Sequence, residues 1–243
     1  MSGVFGQAHS TIPQETFPNV STIHCFGDAD QSERPRGYIG QTGRPEDSPN
    51  MNMMSLFLLF AATATMAAVA EAPLVEGNPG STVRIIIYED LQCSDCAQFR
   101  LMLDQKLLPR FGSTAAFEHR DFPLPKHKWA RDAAVASRYF GTLGPEMAVK
   151  WRQYAMGHQQ EVTPENFREK LGAWAKQNGA APDKAVAALG DTALTAAVDR
   201  DYQDGVARGI AHTPTVLVNG EPFIETFTYE EISTSIEKAL AGR

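Results

Sequence analysis

The spacing of hydrophobic residues changes along the chain, and the changes predict a strand, a helix and a second strand. Val83 to Glu89, VRIIIYE, is a β-branched run and predicts a buried strand. The apolar residues that follow recur at helical spacing: Phe99, Met102, Leu103 and Leu107. Pro109 and Gly112 end or kink this helix, and residues 116–121, AFEHRD, predict the next strand. Strand, helix and strand together predict a parallel crossover unit.

The region from His127 to about Gly209 has helical spacing and no convincing strand. Three helices are marked by their apolar faces: Ala130, Ala133, Ala134 and Ser137; Trp151 and Tyr154; Phe167, Leu171 and Trp174. We expect Thr163 to be the N-cap of the third helix, because Pro164 and Glu165 follow it. Shorter helical segments cover residues 183–189 and 193–206. This region is predicted to be a helical insertion, with its tryptophans, including Trp129, in the packing.

Strands return near the C-terminus. Thr215–Val218, TVLV, and Pro222–Ile224 flank Asn219-Gly220, a strong signal for a two-residue hairpin turn. A final helix is predicted to turn one face inward: Ile232, Ile236 and Leu240. The predicted class is α/β, in the order β-α-β, helices, β-β-α.

The first seventy residues differ in composition from the rest. Residues 1–50 are rich in Pro, Gly, Ser, Thr and charge, so we expect a disordered tail, or a start-site artefact if translation begins at a methionine between 51 and 54. Residues 51–70 form an uncharged run ending in Ala68-Val69-Ala70 and predict a signal peptide, with an uncleaved anchor as the alternative. The protein is then expected to be exported, to a periplasmic or other extracytoplasmic site.

The charge and cysteine content narrow the classes of partner. The net charge is −7 and there is no basic stripe, which argues against a nucleic-acid partner. Of the three cysteines, Cys25 lies in the predicted tail, and Cys93 and Cys96 form a C-x-x-C motif. Such a motif fits a structural staple, half of a metal site or a redox couple.

Two of these interpretations of the motif are weak. A closed zinc site needs four Cys or His ligands, and no second C-x-x-C or H-x3-H pair completes one, so no metal site is expected. A disulfide closing a two-residue spacer constrains almost nothing. The motif falls in the turn after the first strand and opens a helix, where unpaired backbone N–H groups favour the Cys93 thiolate. Cys93 is therefore the expected attacking sulfur, and Cys96 resolves the mixed disulfide.

Three stretches, YEDLQCSDCAQF, RDFPLPKHKWARDAAVA and GIAHTPTVLVNG, resemble the DsbA-like branch of the thioredoxin superfamily and occur in the family's order. The resemblance implies a thioredoxin-like fold (β-α-β…β-β-α) with an inserted α-helical domain. It places the thioredoxin-like domain at 74–125 and 207–243 and the helical insertion at 126–206. No dissociable cofactor is implied.

The resemblance also implies a substrate-binding loop at Thr213-Pro214. In the family a cis proline here faces the cysteines, and the residue before it offers its backbone to an extended peptide. His212, two residues before the proline, is a candidate proton relay at the rim, with a solvated surface position as the alternative.

The sequence departs from the family pattern at residues expected to tune the redox couple. Many thioredoxin-like proteins carry a buried acid six residues before the first cysteine, where this chain has Ile87. The nearest acids are Glu89 and Asp90; we expect Asp90 to act near the sulfurs, or else to bond backbone at the helix entry. Ser94-Asp95 replaces the Pro-His spacer of strongly oxidising members. The Asp95 charge should disfavour the thiolate and make the couple less oxidising.

The sequence therefore predicts an exported thiol:disulfide oxidoreductase that acts on polypeptides and exchanges electrons with a membrane redox partner. Whether it forms, reduces or shuffles disulfides stays open. Two alternatives are a thioredoxin-fold peptide-binding or chaperone module without turnover, and a relative of the kappa-type glutathione transferases, which would not need Cys96.

Overall fold

The computed structural model describes residues 73–242. The predicted tail (1–50) and signal peptide (51–70), with Cys25, lie outside the described residues. Within the described part of the chain, no helix is both long and apolar enough to cross a membrane.

Five strands form one mixed sheet in the order β1-β3-β2-β4-β5. They are β1 (Leu74–Gly77), β2 (Arg84–Glu89), β3 (Ala116–Asp121), β4 (Thr215–Val218) and β5 (Glu221–Ile224). β2 and β3 are parallel, which confirms the predicted crossover, and the other neighbouring pairs are antiparallel. The short edge strand β1 was not predicted.

The crossover helix follows β2 directly. α1 (Ser94–Met102) continues through a π-helical turn (Leu103–Leu107) into α2 (Leu108–Phe111), and Gly112 is the C-cap. Pro109 lies in the first turn of α2, where the wider π-helical turn before it accommodates a residue without a backbone N–H. The irregularity and the end of the helix therefore agree with the Pro109 and Gly112 signals.

Five helices separate β3 from β4: α3 (Ala130–Leu143), α4 (Pro145–Gly157), α5 (Phe167–Gln177), α6 (Pro182–Ala187) and α7 (Thr192–Ala207). A 3₁₀ turn (Ala188–Gly190) joins the last two, and α8 (Tyr229–Ala241) ends the fold.

The prediction of Thr163 as the N-cap of α5 is wrong. Asn166 holds that position, and Thr163 Oγ1 accepts a hydrogen bond from the Asn166 backbone N–H, so it caps the preceding turn.

The hydrophobic core has two main parts. One lies between the sheet, α1 and α8 and includes Ile85, Ile87, Phe117, Ile232 and Ile236. The other fills the helical insertion around stacked and edge-on aromatic rings, and all three tryptophans are buried there: Trp129, Trp151 and Trp174. Cys93 and Cys96 pack against this second part. The insertion thus forms one wall of the cysteine site.

The predicted hairpin is present. Val218 pairs with Glu221, so Asn219 and Gly220 alone make the turn, and both have positive φ (46° and 95°). Asn219 Oδ1 also accepts the Arg84 backbone N–H at 3.0 Å. The turn positions β4 beside β2, and this pairing brings the loop before β4 to the cysteines.

Candidate active site

Cys93 lies at the N-terminus of α1, just beyond the carboxyl end of β2. It is the N-cap of the helix, in an extended conformation, and its backbone N–H donates to the Asp90 carbonyl at 3.0 Å. Cys96 lies one turn further along and is fully buried, whereas Cys93 is 7% exposed. Both sulfurs are free thiols. The more accessible sulfur is thus the one at the helix end.

The surroundings of the two thiols shift their pKa values in opposite directions. The pKa of Cys93 falls to about 6, first because the Cys96 thiol donates to it; burial opposes the fall, and the Thr213 side chain and the backbone N–H groups of Cys96 and Asp95 add to it. The pKa of Cys96 rises well above its ordinary value, first because of burial and then because of its contact with Cys93. This difference suits a thiolate at Cys93 and a protonated Cys96 at neutral pH.

The loop before β4 faces the sulfur of Cys93. The Thr213–Pro214 peptide bond is cis, and both residues are buried. The carbonyl oxygen of Thr213 accepts a hydrogen bond from Cys93 Sγ at 3.3 Å. The Thr213 hydroxyl is also buried, makes no hydrogen bond within the described residues and lowers the pKa of Cys93. Thr213 thus offers an acceptor to the thiol and a donor to the thiolate.

Asp90 contacts the site through its backbone, and its carboxylate bonds other groups. Its backbone N–H donates to Cys96 Sγ at 3.4 Å. Its carboxylate accepts the backbone N–H groups of Gln92 and Leu124, both at 2.7 Å, and pairs with His127 Nδ1 at 2.8 Å. The Asp90 carboxylate therefore bonds backbone groups at the helix entry, which is the second of the two roles that the sequence suggested. Asp90 thus lies near the sulfurs and lowers the pKa of Cys96 through its backbone N–H, whereas the charge of Glu89 raises it.

The spacer residues and His212 lie at the surface. Ser94 and Asp95 are both exposed, and Asp95 supplies a backbone N–H to the Cys93 thiolate while its carboxylate borders a neighbouring cleft. His212 is exposed as well, and its Nδ1 pairs with Glu225 Oε1 at 2.8 Å. The structure therefore places His212 in a solvated surface pair.

A buried charged network lies beneath the cysteines, and no motif in the sequence pointed to it. His119 on β3 is buried and contacts a carboxylate through each ring nitrogen, Glu89 through Nδ1 and Glu76 through Nε2. Arg152 from α4 bonds both Glu89, at 2.9 Å, and Asp121, at 2.8 Å. Burial lowers the pKa of His119, but the charges and hydrogen bonds of Glu89 and Glu76 outweigh burial and raise it.

Glu89 links this network to the redox pair. Burial raises its pKa, yet Arg152 and His119 outweigh burial and hold it at about 2, so the carboxylate is charged. Its Oε2 atom is buried and has no partner among the described residues. The period of two along β2 could have signalled its placement, because Glu89 shares the buried face of Ile85 and Ile87.

A cleft of about 450 Å³ opens beside Asp95, between α1 and the segment before α8. Its lining includes apolar side chains and three carboxylates: Asp95, Phe99, Met102, Glu225, Phe227 and Glu231. The rings of Phe99 and Phe227 meet edge to face with centroids 5.5 Å apart.

Across residues 73–242, no group of three or more His, Cys, Asp or Glu side chains is arranged to hold a metal ion.

Comparisons with known proteins agree with this fold. The Thioredoxin_4 family model, described as thioredoxin, matches residues 70–238. Among solved structures, oxidised BdbD from Bacillus subtilis superposes with a TM-score of 0.60 at 22% identity, covering 70% of this chain and 93% of BdbD. For α-DsbA1 from Wolbachia pipientis the TM-score is 0.61 at 16% identity, covering 70% of this chain and 92% of that one.

Two further proteins are similar over 77% and 74% of this chain. The thiol-disulfide exchange protein α-DsbA2 from Wolbachia pipientis has a TM-score of 0.60 at 16% identity, with 77% of this chain and 99% of that chain covered. The Na(+)/H(+) antiporter NhaA of Herminiimonas arsenicoxydans is 26% identical over 186 residues, which are 74% of this chain. The chain spans only 28% of that antiporter's length. The chain belongs to the Thioredoxin_4 family, and it has the DsbA-like fold, with its helical insertion, that the sequence motifs predicted.

Proposed function

We propose that the protein is an exported thiol:disulfide oxidoreductase whose redox couple is Cys93 and Cys96 and whose substrates are polypeptides. The observation that carries the proposal is the placement of the pair: Cys93 is the N-cap of α1 with the Thr213 carbonyl 3.3 Å from its sulfur, and Cys96 is fully buried one turn further along. This placement lowers the pKa of Cys93 to about 6 and raises that of Cys96. Such a difference is what disulfide exchange needs, because one sulfur must attack or leave as a thiolate while the other waits as a thiol.

Disulfide exchange needs only the two protein sulfurs and two substrate thiols. When the pair is bridged, a substrate thiolate attacks Cys93 Sγ, the Cys93–Cys96 bond breaks, and its electron pair goes to the Cys96 sulfur, which takes up a proton. A second substrate thiolate then attacks the substrate sulfur of the mixed disulfide and releases Cys93 as a thiolate. The substrate is oxidised by two electrons and the pair is reduced; the reverse sequence reduces a substrate disulfide.

Thr213-Pro214 and the cleft support a polypeptide as substrate. The Thr213 carbonyl lies next to the reacting sulfur, where the backbone of an extended peptide can pair with it. Phe99, Met102 and Phe227 line the cleft beside Asp95 and could contact an apolar side chain of the same peptide. Pairing with the Thr213 backbone would hold a substrate cysteine in reach of Cys93 and leave the rest of the substrate unconstrained.

Export is inferred from the sequence, and the membrane redox partner is inferred from the need for continued turnover. The uncharged run ending Ala68-Val69-Ala70 supports export. Continued turnover needs a partner that reoxidises the pair after it has oxidised a substrate, or reduces it after it has reduced one. A membrane-bound dithiol or quinone-linked protein supplies those electrons or accepts them.

The test is dithiothreitol-driven reduction of insulin, together with refolding of a reduced, unfolded substrate. We expect turnover in at least one assay and its loss in Cys93→Ser. A peptide-binding module whose cysteines stay bridged would show no turnover in either assay and would bind peptide equally well after Cys93→Ser. A glutathione transferase would keep its glutathione-conjugating activity in Cys96→Ser. Either outcome would overturn the proposal.

A further inference from the structure

Gln159 connects the helical insertion to the backbone around Cys93. It lies in the turn after α4, and its side-chain Nε2 donates to the Leu91 carbonyl at 3.0 Å and to the Cys93 carbonyl at 2.9 Å. These two carbonyls flank the peptide units that carry Cys93 into the helix. One amide group thus bonds the active-site turn on both sides of Gln92.

The conformation of this turn determines which groups face the Cys93 sulfur. Cys93 is the N-cap of α1 without a side-chain cap, and its carbonyl also accepts the first helical hydrogen bond, from Ala97 at 3.1 Å. The backbone N–H groups of Asp95 and Cys96 in the same first turn lower the pKa of the Cys93 thiol. Their aim at the sulfur depends on the backbone of residues 91–93.

A second hydrogen bond joins the insertion to the turn, and here the side chain belongs to the turn and the backbone group to the insertion. Gln92 Oε1 accepts the backbone N–H of Trp129, just before α3, at 2.9 Å. A glutamine of the turn therefore bonds the insertion's backbone, and a glutamine of the insertion bonds the turn's backbone. At the start of the turn, the Asp90 carboxylate accepts a hydrogen bond from the Gln92 backbone N–H. Gln159 bonds the carbonyls at its other end.

We propose that Gln159 is a positioning residue for the redox couple: by bonding the carbonyls of Leu91 and Cys93 it holds the active-site turn so that the first-turn N–H groups point at the Cys93 sulfur. This inference deepens the proposed function and rests on it for its biological meaning. Through Gln159, the packing of α4 sets the reactivity of a thiol that belongs to the sheet domain.

The experiment measures Cys93 directly. The reduced full chain is alkylated with iodoacetamide at a series of pH values, and the rate at Cys93 is read from the mass of its peptide, so that Cys25 is counted separately. Gln159→Leu keeps a side chain of similar size and loses the donor. We expect the acid dissociation constant of Cys93 to fall about three- to tenfold, the range set by one or two hydrogen bonds.

Gln153→Leu is the matched control. Gln153 is exposed on α4, and its side-chain amide bonds both carboxylate oxygens of Asp104, at 3.1 Å each. Its substitution should leave the alkylation profile at the wild-type position. If Gln159→Leu does not fold, as judged by circular dichroism, Gln159→Met replaces it with a flexible side chain that also lacks a donor.

A folded Gln159 variant whose Cys93 profile matches wild type would overturn the inference, even if its melting temperature falls, because Gln159 would then be structural only. The profile requires no substrate. An absence of turnover in the wild-type protein would therefore count against the proposed function and leave the role of Gln159 to be decided by the alkylation data.

Discussion

The carbonyl oxygen of Thr213 lies 3.3 Å from the sulfur of Cys93, although the two residues are 120 positions apart in the chain. The same threonine has a buried hydroxyl that lowers the pKa of Cys93. Because a carbonyl can only accept and a hydroxyl can donate, the first favours the thiol and the second the thiolate. The balance between them is one determinant of the reactivity of Cys93.

Thr213→Val tests the contribution of the hydroxyl. Valine has nearly the shape of threonine and keeps the backbone carbonyl, but it cannot donate to the sulfur. We expect the Cys93 pKa to rise above its value of about 6, with the acid dissociation constant falling about threefold to tenfold. The pH dependence of Cys93 alkylation measures it.

Thr142→Val is the control for this substitution. The Thr142 hydroxyl bonds the Tyr139 carbonyl within α3, so removing it should leave the Cys93 profile unchanged. An unchanged profile in Thr213→Val would show that the Thr213 hydroxyl does not stabilise the thiolate.

The charge of Asp95 is expected to make the couple less oxidising. Asp95→His removes a negative charge beside the Cys93 thiolate and should raise the reduction potential. Because Asp95 is exposed, solvent weakens the effect, and Asp95→Asn should give a smaller rise in the same direction. Equilibration with glutathione measures both potentials. An unchanged or lower potential in Asp95→His would refute the argument.

The lowered pKa of Cys93 makes the stability of the reduced protein depend on pH. The unfolded chain keeps a proton on Cys93 up to about pH 9, whereas the folded chain loses it at about pH 6. Stability therefore rises with pH between these values and is lost as pH falls through about 6. By pH 8.5 the gain should be on the order of 3 kcal/mol relative to reduced Cys93→Ser.

Urea unfolding of both reduced proteins from pH 5.5 to pH 8.5 measures this difference. Staying below pH 9 avoids the opposing effect of Cys96, whose raised pKa favours the unfolded chain at higher pH. Parallel stability curves for the two proteins would contradict the assignment of the thiolate to Cys93.

Arg152 is expected to be essential for stability. It is buried and bonds Glu89 and Asp121, so Arg152→Met removes one cation from each of these buried carboxylates. Glu89 then keeps its contact with His119, and Asp121 keeps its contact with Arg138. The cost should be on the order of 3–5 kcal/mol in the free energy of unfolding. Arg131→Met removes an exposed ion pair with Asp199 and should change little. Equal losses in the two variants would contradict the importance of the buried network.

The sequence predicted most of the fold because its signals were local. Residues 116–121 and 215–218 were assigned as strands with the bounds that the structure has. The first lies between turn-forming residues at 112–114 and Pro123, and the second is a short β-branched run that ends at Asn219-Gly220. Asn219-Gly220 fixed the hairpin through its turn preference. The edge strand β1 was missed because four half-buried residues carry no clear period.

The groups around the cysteines were less predictable, because the tertiary structure brings them together. The Glu89, His119 and Arg152 cluster joins two strands and a helix; the period of two along β2 signals the buried face of Glu89, but no local pattern signals its partners. The N-cap prediction for Thr163 was wrong because Thr163 and Asn166 bond each other in a turn, and α5 begins only after that turn. Gln159 carries no signal in the sequence, and only the packing of α4 brings it to the active-site turn.

The most direct test of the redox couple is the reduction potential of Cys93 and Cys96, measured by equilibrating the protein in glutathione buffers and counting free thiols in the peptide that holds both. We predict a single reversible two-electron transition between about −270 mV and about −120 mV, the range from thioredoxin to strongly oxidising DsbA proteins. A pair that stays bridged or stays reduced at every glutathione ratio would contradict it, and the fold would then serve to bind peptides without exchanging disulfides.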